Sequence, residues 1–108
     1  MNIEKWTAKM QEAIQKAITM ASEMGHQVVD VEHFLLALLE DNAGILYRVL
    51  SKANVNIADL QNKLNVRLQG KPIVSNVDIN SIRISYDLNQ LLSLADKQMH
   101  NFKDEYLS

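Results

Sequence analysis

The 108-residue sequence has no cysteine, one proline and three glycines, and only 6% of its side chains are aromatic. Without cysteine, disulfide bonds and thiolate metal ligands are excluded. Long hydrophobic runs are also missing: the longest, over 34–39, is far shorter than the roughly twenty residues of a membrane-spanning helix. The first residues, MNIEKW, lack the apolar core of a secretory signal peptide. We therefore expect a cytoplasmic protein with no membrane partner.

Neither sign of charge is in large excess, because 11 basic residues face 13 acidic ones for a net charge of -2. Such a surface attracts nucleic-acid phosphates weakly, and no expected helix carries the clustered Lys or Arg of a DNA-recognition helix. We therefore expect no nucleic-acid partner. We also find no nucleophile–base pair, no metal-binding pattern and no phosphate loop. The sequence thus predicts neither catalytic residues nor a metal or cofactor site.

Apolar residues recur every three or four positions through most of the chain, which predicts an all-α fold. The first helix is expected over 7–24, with Thr7 as its N-cap and Gly25 at its end. Alanines at 13, 17 and 21 indicate a close contact with another helix. Asp30 is expected to cap a second helix whose segment FLLALL is apolar on nearly every side, so this helix should be central.

Three further segments follow this central helix. A short helix over 45–52 is expected to face inward with Ile45, Leu46, Val49 and Leu50. Asn56 is expected to cap a fourth helix. Between 70 and 84 the helical period disappears, and the alternation over 82–84 is interpreted as extended loop because no partner strand is evident. Ser85 then opens the last helix.

An offset of 78 residues places the last helix on the first, with Thr7 on Ser85 and the apolar stripes in register. We therefore predict a first four-helix repeat over 1–70, an extended linker over 71–84, and the first helix of a second, truncated repeat over 85–108. The expected parent is longer, although a complete five-helix domain is the alternative. An unpaired stripe on the last helix would allow two copies to dimerise.

Several other residues are candidates for a role in binding. His26 and His33 lie seven residues apart, but this spacing matches no zinc pattern, and His33 is expected to be structural. Met20 lies off the main stripe of the first helix and is a candidate for exposure to apolar ligands. Lys71 belongs to a loose scatter of basic residues that we expect to be solvated.

Particular residues and motifs resemble a known family. They are Trp6-Thr7, Gly25-His26, VEHFLLALL over 31–39, LQGKPIVS over 68–75, and DEYLS over 104–108. Together they resemble the N-terminal domain of the Clp/Hsp100 AAA+ chaperones over essentially the whole chain. The 68–75 segment is more similar to the ClpB/Hsp104-type disaggregase branch than to the branches that serve proteases. The resemblance implies a right-handed pseudo-repeat helical bundle, the double Clp-N motif.

The resemblance also implies a function. A domain of this family would be non-catalytic and would bind exposed apolar segments of unfolded or aggregated proteins during heat-shock and stress responses. Its parent would be a homohexameric AAA+ ATPase that binds ATP and Mg²⁺ in other domains and cooperates with an Hsp70 system. The alternative is a domain that docks adaptors or degradation tags for a Clp protease unfoldase of the ClpA or ClpC type.

Five substrate-binding residues are carried over from the family. Thr7 and Asp104 match positions tied to chaperone activity, although their residue types favour helix capping for Thr7 and a solvated turn for Asp104 over direct contact with a substrate. Leu91, Leu94 and Gln98 match positions where the family builds an apolar groove between the two repeats. Relatives often have leucine where this sequence has Gln98, so that part of the groove departs from the family pattern.

Overall fold

The computed structural model describes the backbone of residues 3–106 and the side chains of residues 8–98. The described part contains five α-helices, one pair of very short strands and one 3-10 turn, which confirms the predicted all-α class. In chain order the elements are α1 (Ile3–Glu23), β1 (Val28–Val29), α2 (Val31–Leu39), α3 (Ile45–Lys52), α4 (Ile57–Gln69), the 3-10 turn (Ile79–Ser81), β2 (Arg83–Ile84) and α5 (Tyr86–Tyr106).

The two ends of α1 differ in how well the sequence predicted them. The helix begins at Ile3, so Thr7 lies inside it and the predicted N-cap at Thr7 is wrong. The predicted end is confirmed. Gly25 has φ 80°, and the N–H of His26 donates to the carbonyl of Ala21 at 2.8 Å. This left-handed glycine closes the helix because its lack of a Cβ removes the steric cost of that conformation.

The central helix α2 separates two hydrophobic clusters, as its uniformly apolar sequence predicted. Phe34 and Ala37 face the first cluster, which also contains the buried alanines of α1 and Leu88 of α5. Leu36 and Leu39 face the second cluster with residues of α4. A helix that has apolar neighbours on two sides must itself be apolar on both, so the hydrophobic composition of α2 follows from its position.

The contact between α1 and α2 depends on small side chains. Ala13, Ala17 and Ala21 repeat every four residues along one face of α1 and are almost entirely buried. Side chains of this size allow the backbones of two helices to approach closely, because larger residues would hold the axes apart. The predicted alanine stripe is therefore confirmed as a packing surface.

The short helix α3 packs less tightly than its sequence predicted. Leu46 and Leu50 pack against the second cluster, but Ile45 and Val49 are 50% and 57% exposed, so their predicted inward orientation is wrong. Eight residues make only about two turns, and only one narrow stripe can face the core. Asn54 follows α3 in the left-handed region, with φ 62°, a conformation that asparagine adopts more readily than most residues.

The expectation of an unpaired loop over 82–84 is also wrong. Strands β1 and β2 pair in parallel, with Val28 opposite Arg83 and Val29 opposite Ile84. The N–H of Ser85 donates to the carbonyl of Val29 at 2.8 Å and extends this pairing to the start of α5. Parallel strands can be far apart in sequence, which is why the two-residue partner after α1 was not recognised.

Candidate functional site

The predicted groove residues lie on one exposed face of α5. Leu88 is fully buried and Leu92 packs against the first cluster. These two side chains attach α5 to the unit formed by α1, α2, α3 and α4, which we call the four-helix unit. Leu91 and Leu94 are 37% and 57% exposed, and Gln98 is exposed as well. Spacings of three and four residues place all three on the same side of a helix. We call Leu91, Leu94 and Gln98 the α5 face.

The other two predicted site residues are placed only at the level of the backbone. Thr7 lies in α1 and Asp104 lies in α5. Their side chains fall outside the described residues 8–98, so their proximity to the α5 face stays a prediction.

A carboxylate at the start of α2 fixes the start of α5. Asp30 caps α2, since its Oδ1 accepts from the N–H of Val31 at 2.8 Å. The same oxygen accepts from the hydroxyl of Ser85 at 2.9 Å. Ser85 in turn caps α5, because its Oγ accepts from the N–H of Leu88 at 3.1 Å. Two predicted N-caps are thus confirmed, and they bond to each other as well as to their own helices.

The linker joins this group through Lys71, whose Nζ lies 2.7 Å from Asp30 Oδ2. The prediction that Lys71 is an ordinary solvated residue is therefore wrong. Burial by itself would raise the pKa of Asp30, but the bonds from Lys71, Val31 and Ser85 outweigh it and lower that pKa. The bond to Asp30 likewise raises the pKa of Lys71. Both groups are charged at neutral pH, so the ion pair holds the linker against α2.

Two buried histidines lie next to Asp30. His26 and His33 are 3% and 0% exposed, and His26 Nδ1 lies 2.9 Å from His33 Nε2. His33 Nδ1 accepts from the N–H of Asp30 at 2.9 Å, which completes a capping box at the start of α2. Burial, followed by the positive charge of Lys71, lowers the pKa of His26. Burial, followed by the neighbouring His26, lowers the pKa of His33 to about 4. The predicted structural role of His33 is confirmed.

A groove of about 480 Å³ lies where α2, α4 and the start of α5 meet. Its apolar lining consists of Val31, Leu35, Leu60 and Leu64. Charges of both signs surround this lining, with Lys63 and Arg67 on α4 and with Asp30, Glu32 and Asp87 on α2 and α5. We call it the mixed-charge groove. It is lined by residues other than those of the α5 face.

The remaining sequence-based candidates have packing roles or stay untested. Met20 is half-buried and contacts both hydrophobic clusters, so its predicted exposure is wrong.

Within the described part of the chain, no three His, Asp or Glu side chains converge as metal ligands would. Among the same residues, no helix has the length and hydrophobicity needed to cross a membrane.

Comparison with known proteins adds to this geometry. The profile of the Clp repeat (R) N-terminal domain matches residues 5–108. The chain belongs to this Clp N-terminal domain family. The match covers every described helix almost completely, so the five-helix arrangement is that of a Clp N-domain. The family resemblance inferred from residues 6–7, 25–26 and 31–39 is thereby confirmed.

Individual relatives of this Clp N-domain are chaperones. The chain is 36% identical over 110 residues to the chaperone protein ClpB of Bacillus cereus, 32% identical over 108 residues to ClpB of Vibrio cholerae, and 28% identical over 108 residues to ClpB of Porphyromonas gingivalis. Each comparison includes 100% of this chain but only 13%, 12% and 12% of the respective relative. The chain is therefore similar to a small region of each ClpB protein.

Sequence reasoning missed the contacts that position α5. The local sequence predicts Asp30 and Ser85 as caps, but nothing in it shows that two caps 55 residues apart bond to each other. Lys71 carries no signal beyond the single proline that follows it. The spacing of seven between the two histidines does not predict that their rings contact each other. These contacts depend on tertiary structure.

Proposed function

We propose that this Clp N-domain binds exposed apolar segments of unfolded or aggregated polypeptides through the α5 face. The observation that carries the proposal is the exposed pair Leu91 and Leu94, which lies beside the stripe of α5 that Leu88 and Leu92 anchor in the core. Covering exposed leucines with an apolar chain favours binding by about 25 cal/mol for each Å² of apolar surface removed from water. An exposed helix face also accepts segments of varied sequence.

The same proposal extends to the whole protein. Its relatives are named as chaperones, and we infer that the parent is a hexameric, ATP-dependent disaggregase of the cytoplasm. In that setting the domain has no catalytic role, ATP and Mg²⁺ bind elsewhere in the parent, and an Hsp70 system cooperates in refolding. Six weakly binding copies in one ring would retain a client far better than one copy, because each bound domain raises the effective concentration at the others.

A titration with a fluorescently labelled, permanently unfolded polypeptide tests the role of the α5 face. We expect saturable binding of the unfolded probe and none of a folded control protein. Leu94→Ser should weaken binding about fivefold or more, because covering the exposed part of this leucine contributes about 1 kcal/mol or more. The matched control is Val66→Ser on α4, since Val66 is 58% exposed and Leu94 is 57% exposed.

The control defines the outcome that would contradict the proposal. If Val66→Ser and Leu94→Ser weaken binding equally, the unfolded probe adheres to exposed apolar residues in general and the α5 face has no special role. Far-ultraviolet circular dichroism of both variants checks that their helices are intact, so that lost binding cannot reflect unfolding.

A specific observation also favours the second candidate, docking of an adaptor or degradation tag for a Clp protease. The mixed-charge groove presents Lys63 and Arg67 opposite Glu32 and Asp87, and such a pattern selects a partner with complementary charges. Binding there would weaken as ionic strength rises, whereas apolar binding to the α5 face would not. Repeating the titration at high salt separates the two candidates.

A further inference from the structure

Each of the two buried histidines has its hydrogen position fixed by a chain of hydrogen bonds. His33 Nδ1 accepts from the backbone N–H of Asp30, so the ring proton of His33 must be on Nε2. That proton points to His26 Nδ1, which must then be an acceptor and leave the proton of His26 on Nε2. The opposite direction is excluded, because it would place a proton on His33 Nδ1 against the N–H of Asp30.

This arrangement has no position for an additional proton between the two rings. A proton added to His33 Nδ1 would oppose the N–H of Asp30, and one added to His26 Nδ1 would oppose the N–H of His33. Both rings are almost completely buried, so water cannot replace the lost bond without local opening. Protonation of either ring therefore breaks one of the two bonds.

The broken bond would act on the residue that holds α5 and the linker. The backbone of Asp30 bonds to His33, and its carboxylate bonds to Lys71 of the linker and Ser85 of α5. From these contacts we propose that His26, His33 and Asp30 form a proton-sensitive latch between the four-helix unit and the segment 71–88. At a pH above that at which the histidines become protonated, the segment is held against the four-helix unit. On acidification the segment is released, while the four-helix unit remains folded.

The charged groups around His26 and His33 either disfavour protonation of the rings, as burial does, or have a smaller effect than burial. Lys71 is the positive group on the linker side and disfavours protonation of both rings. Asp30 opposes this effect for His33, but burial is the larger influence. Glu32 at the start of α2 interacts with Lys71, and Asp87 at the start of α5 lines the mixed-charge groove together with Asp30.

Glu23, in the last turn of α1, lines a groove with Glu40 that is separate from the latch. Because the pKa of Asp30 is lowered, its carboxylate stays ionised as the histidines titrate. The histidines therefore set the pH at which the segment is released.

The sign of the pH dependence follows from linkage. His33 has a lower pKa when closed than when open, so closure is most favourable above the usual histidine pKa of 6.5 and is weakened as the pH falls toward 4. Between about pH 7.5 and pH 5, this difference shifts the balance toward the open state about thirtyfold. Release should therefore be measurable before the histidines are fully protonated.

Amide hydrogen exchange at a series of pH values tests the latch on the whole chain. Three amides report the docked segment, because Val74, Arg83 and Ser85 donate to carbonyls of the α1–β1 connection and β1. After correction for intrinsic exchange, we expect their protection to fall about thirtyfold on acidification. Amides of Leu64 and Leu68 in α4 should keep their protection over the same range.

Variants connect the effect to the histidines. His33→Gln keeps an acceptor for the N–H of Asp30, since glutamine at this position also completes a capping box, but it does not titrate. This variant should retain protected reporter amides across the pH range. His100→Gln, which replaces the third histidine, is the matched control and should leave the wild-type pH dependence unchanged.

Three results would overturn the latch. They are equal loss of protection in α4 and in the reporter amides, a wild-type pH dependence retained in His33→Gln, and ring titrations of His26 and His33 near pH 6.5 in nuclear magnetic resonance spectra. The ring titration needs no substitution, so it decides the question even if His33→Gln folds poorly.

Discussion

At the scale of single residues, Asp30 connects three parts of the molecule. It caps α2, bonds to the N-cap of α5 and pairs with Lys71 of the linker. The sequence predicted its capping role because Asp before an apolar helical segment is a common helix start. The other two roles could not be predicted, since they join residues 41 and 55 positions away.

The Asp30–Lys71 pair should contribute more to stability than an ordinary surface ion pair, because its side chains are only 22% and 28% exposed. Asp30→Asn keeps the capping oxygen and Lys71→Met keeps the aliphatic stem, so the two variants remove mainly the charges. A double-mutant cycle of urea unfolding should give a coupling energy of about 1 kcal/mol or more.

An exposed ion pair of the same chain provides the control. On α4, Lys63 Nζ lies 3.0 Å from Asp59 Oδ2, but the side chains of Lys63 and Asp59 are 71% and 54% exposed. Their coupling energy should stay at about 0.3–0.5 kcal/mol, as for other exposed helix pairs. Equal coupling in the two pairs would show that partial burial does not strengthen the contact between α2 and the linker.

At the scale of elements, the helices were predicted well and their connections less well. The periodic apolar stripes of α1 and α4 are buried faces, because burial on one side imposes a helical period on the sequence, and the uniformly apolar α2 lies between two clusters. Connections lack such a period. The pairing of β1 with β2 and the approach of Ile73 to Gly25, where a Cβ would lie 2.7 Å from Ile73 Cγ2, depend on distant segments.

The close contact between α1 and α2 leads to a prediction for one alanine. Ala17 is fully buried where α1 packs against the central helix, so Ala17→Leu should force the helices apart and lower the free energy of unfolding by about 1–3 kcal/mol. Urea unfolding followed by circular dichroism measures this loss. Ala8→Leu in the same helix is the control, because Ala8 is exposed and the change should stay within about 0.5 kcal/mol.

At the scale of the whole molecule, the sequence predicted the family and the all-α class but not how the candidate site is held. The residues of the α5 face came from the family resemblance, and the structure places Leu91, Leu94 and Gln98 together. The division into repeats at 70 and 85, the right-handed arrangement and dimerisation through the last helix stay predictions. The register match of Thr7 with Ser85 is weakened, because only Ser85 is an N-cap.

Mapping the bound polypeptide on the domain tests the central claim most directly. Amide chemical shifts of the isotope-labelled chain would be followed while the unlabelled, permanently unfolded polypeptide is added. We expect shifts concentrated at Leu91, Leu94 and Gln98 that saturate with the probe. Shifts confined to the mixed-charge groove around Lys63 and Arg67, or no shifts at saturating probe concentrations, would contradict client capture by the α5 face.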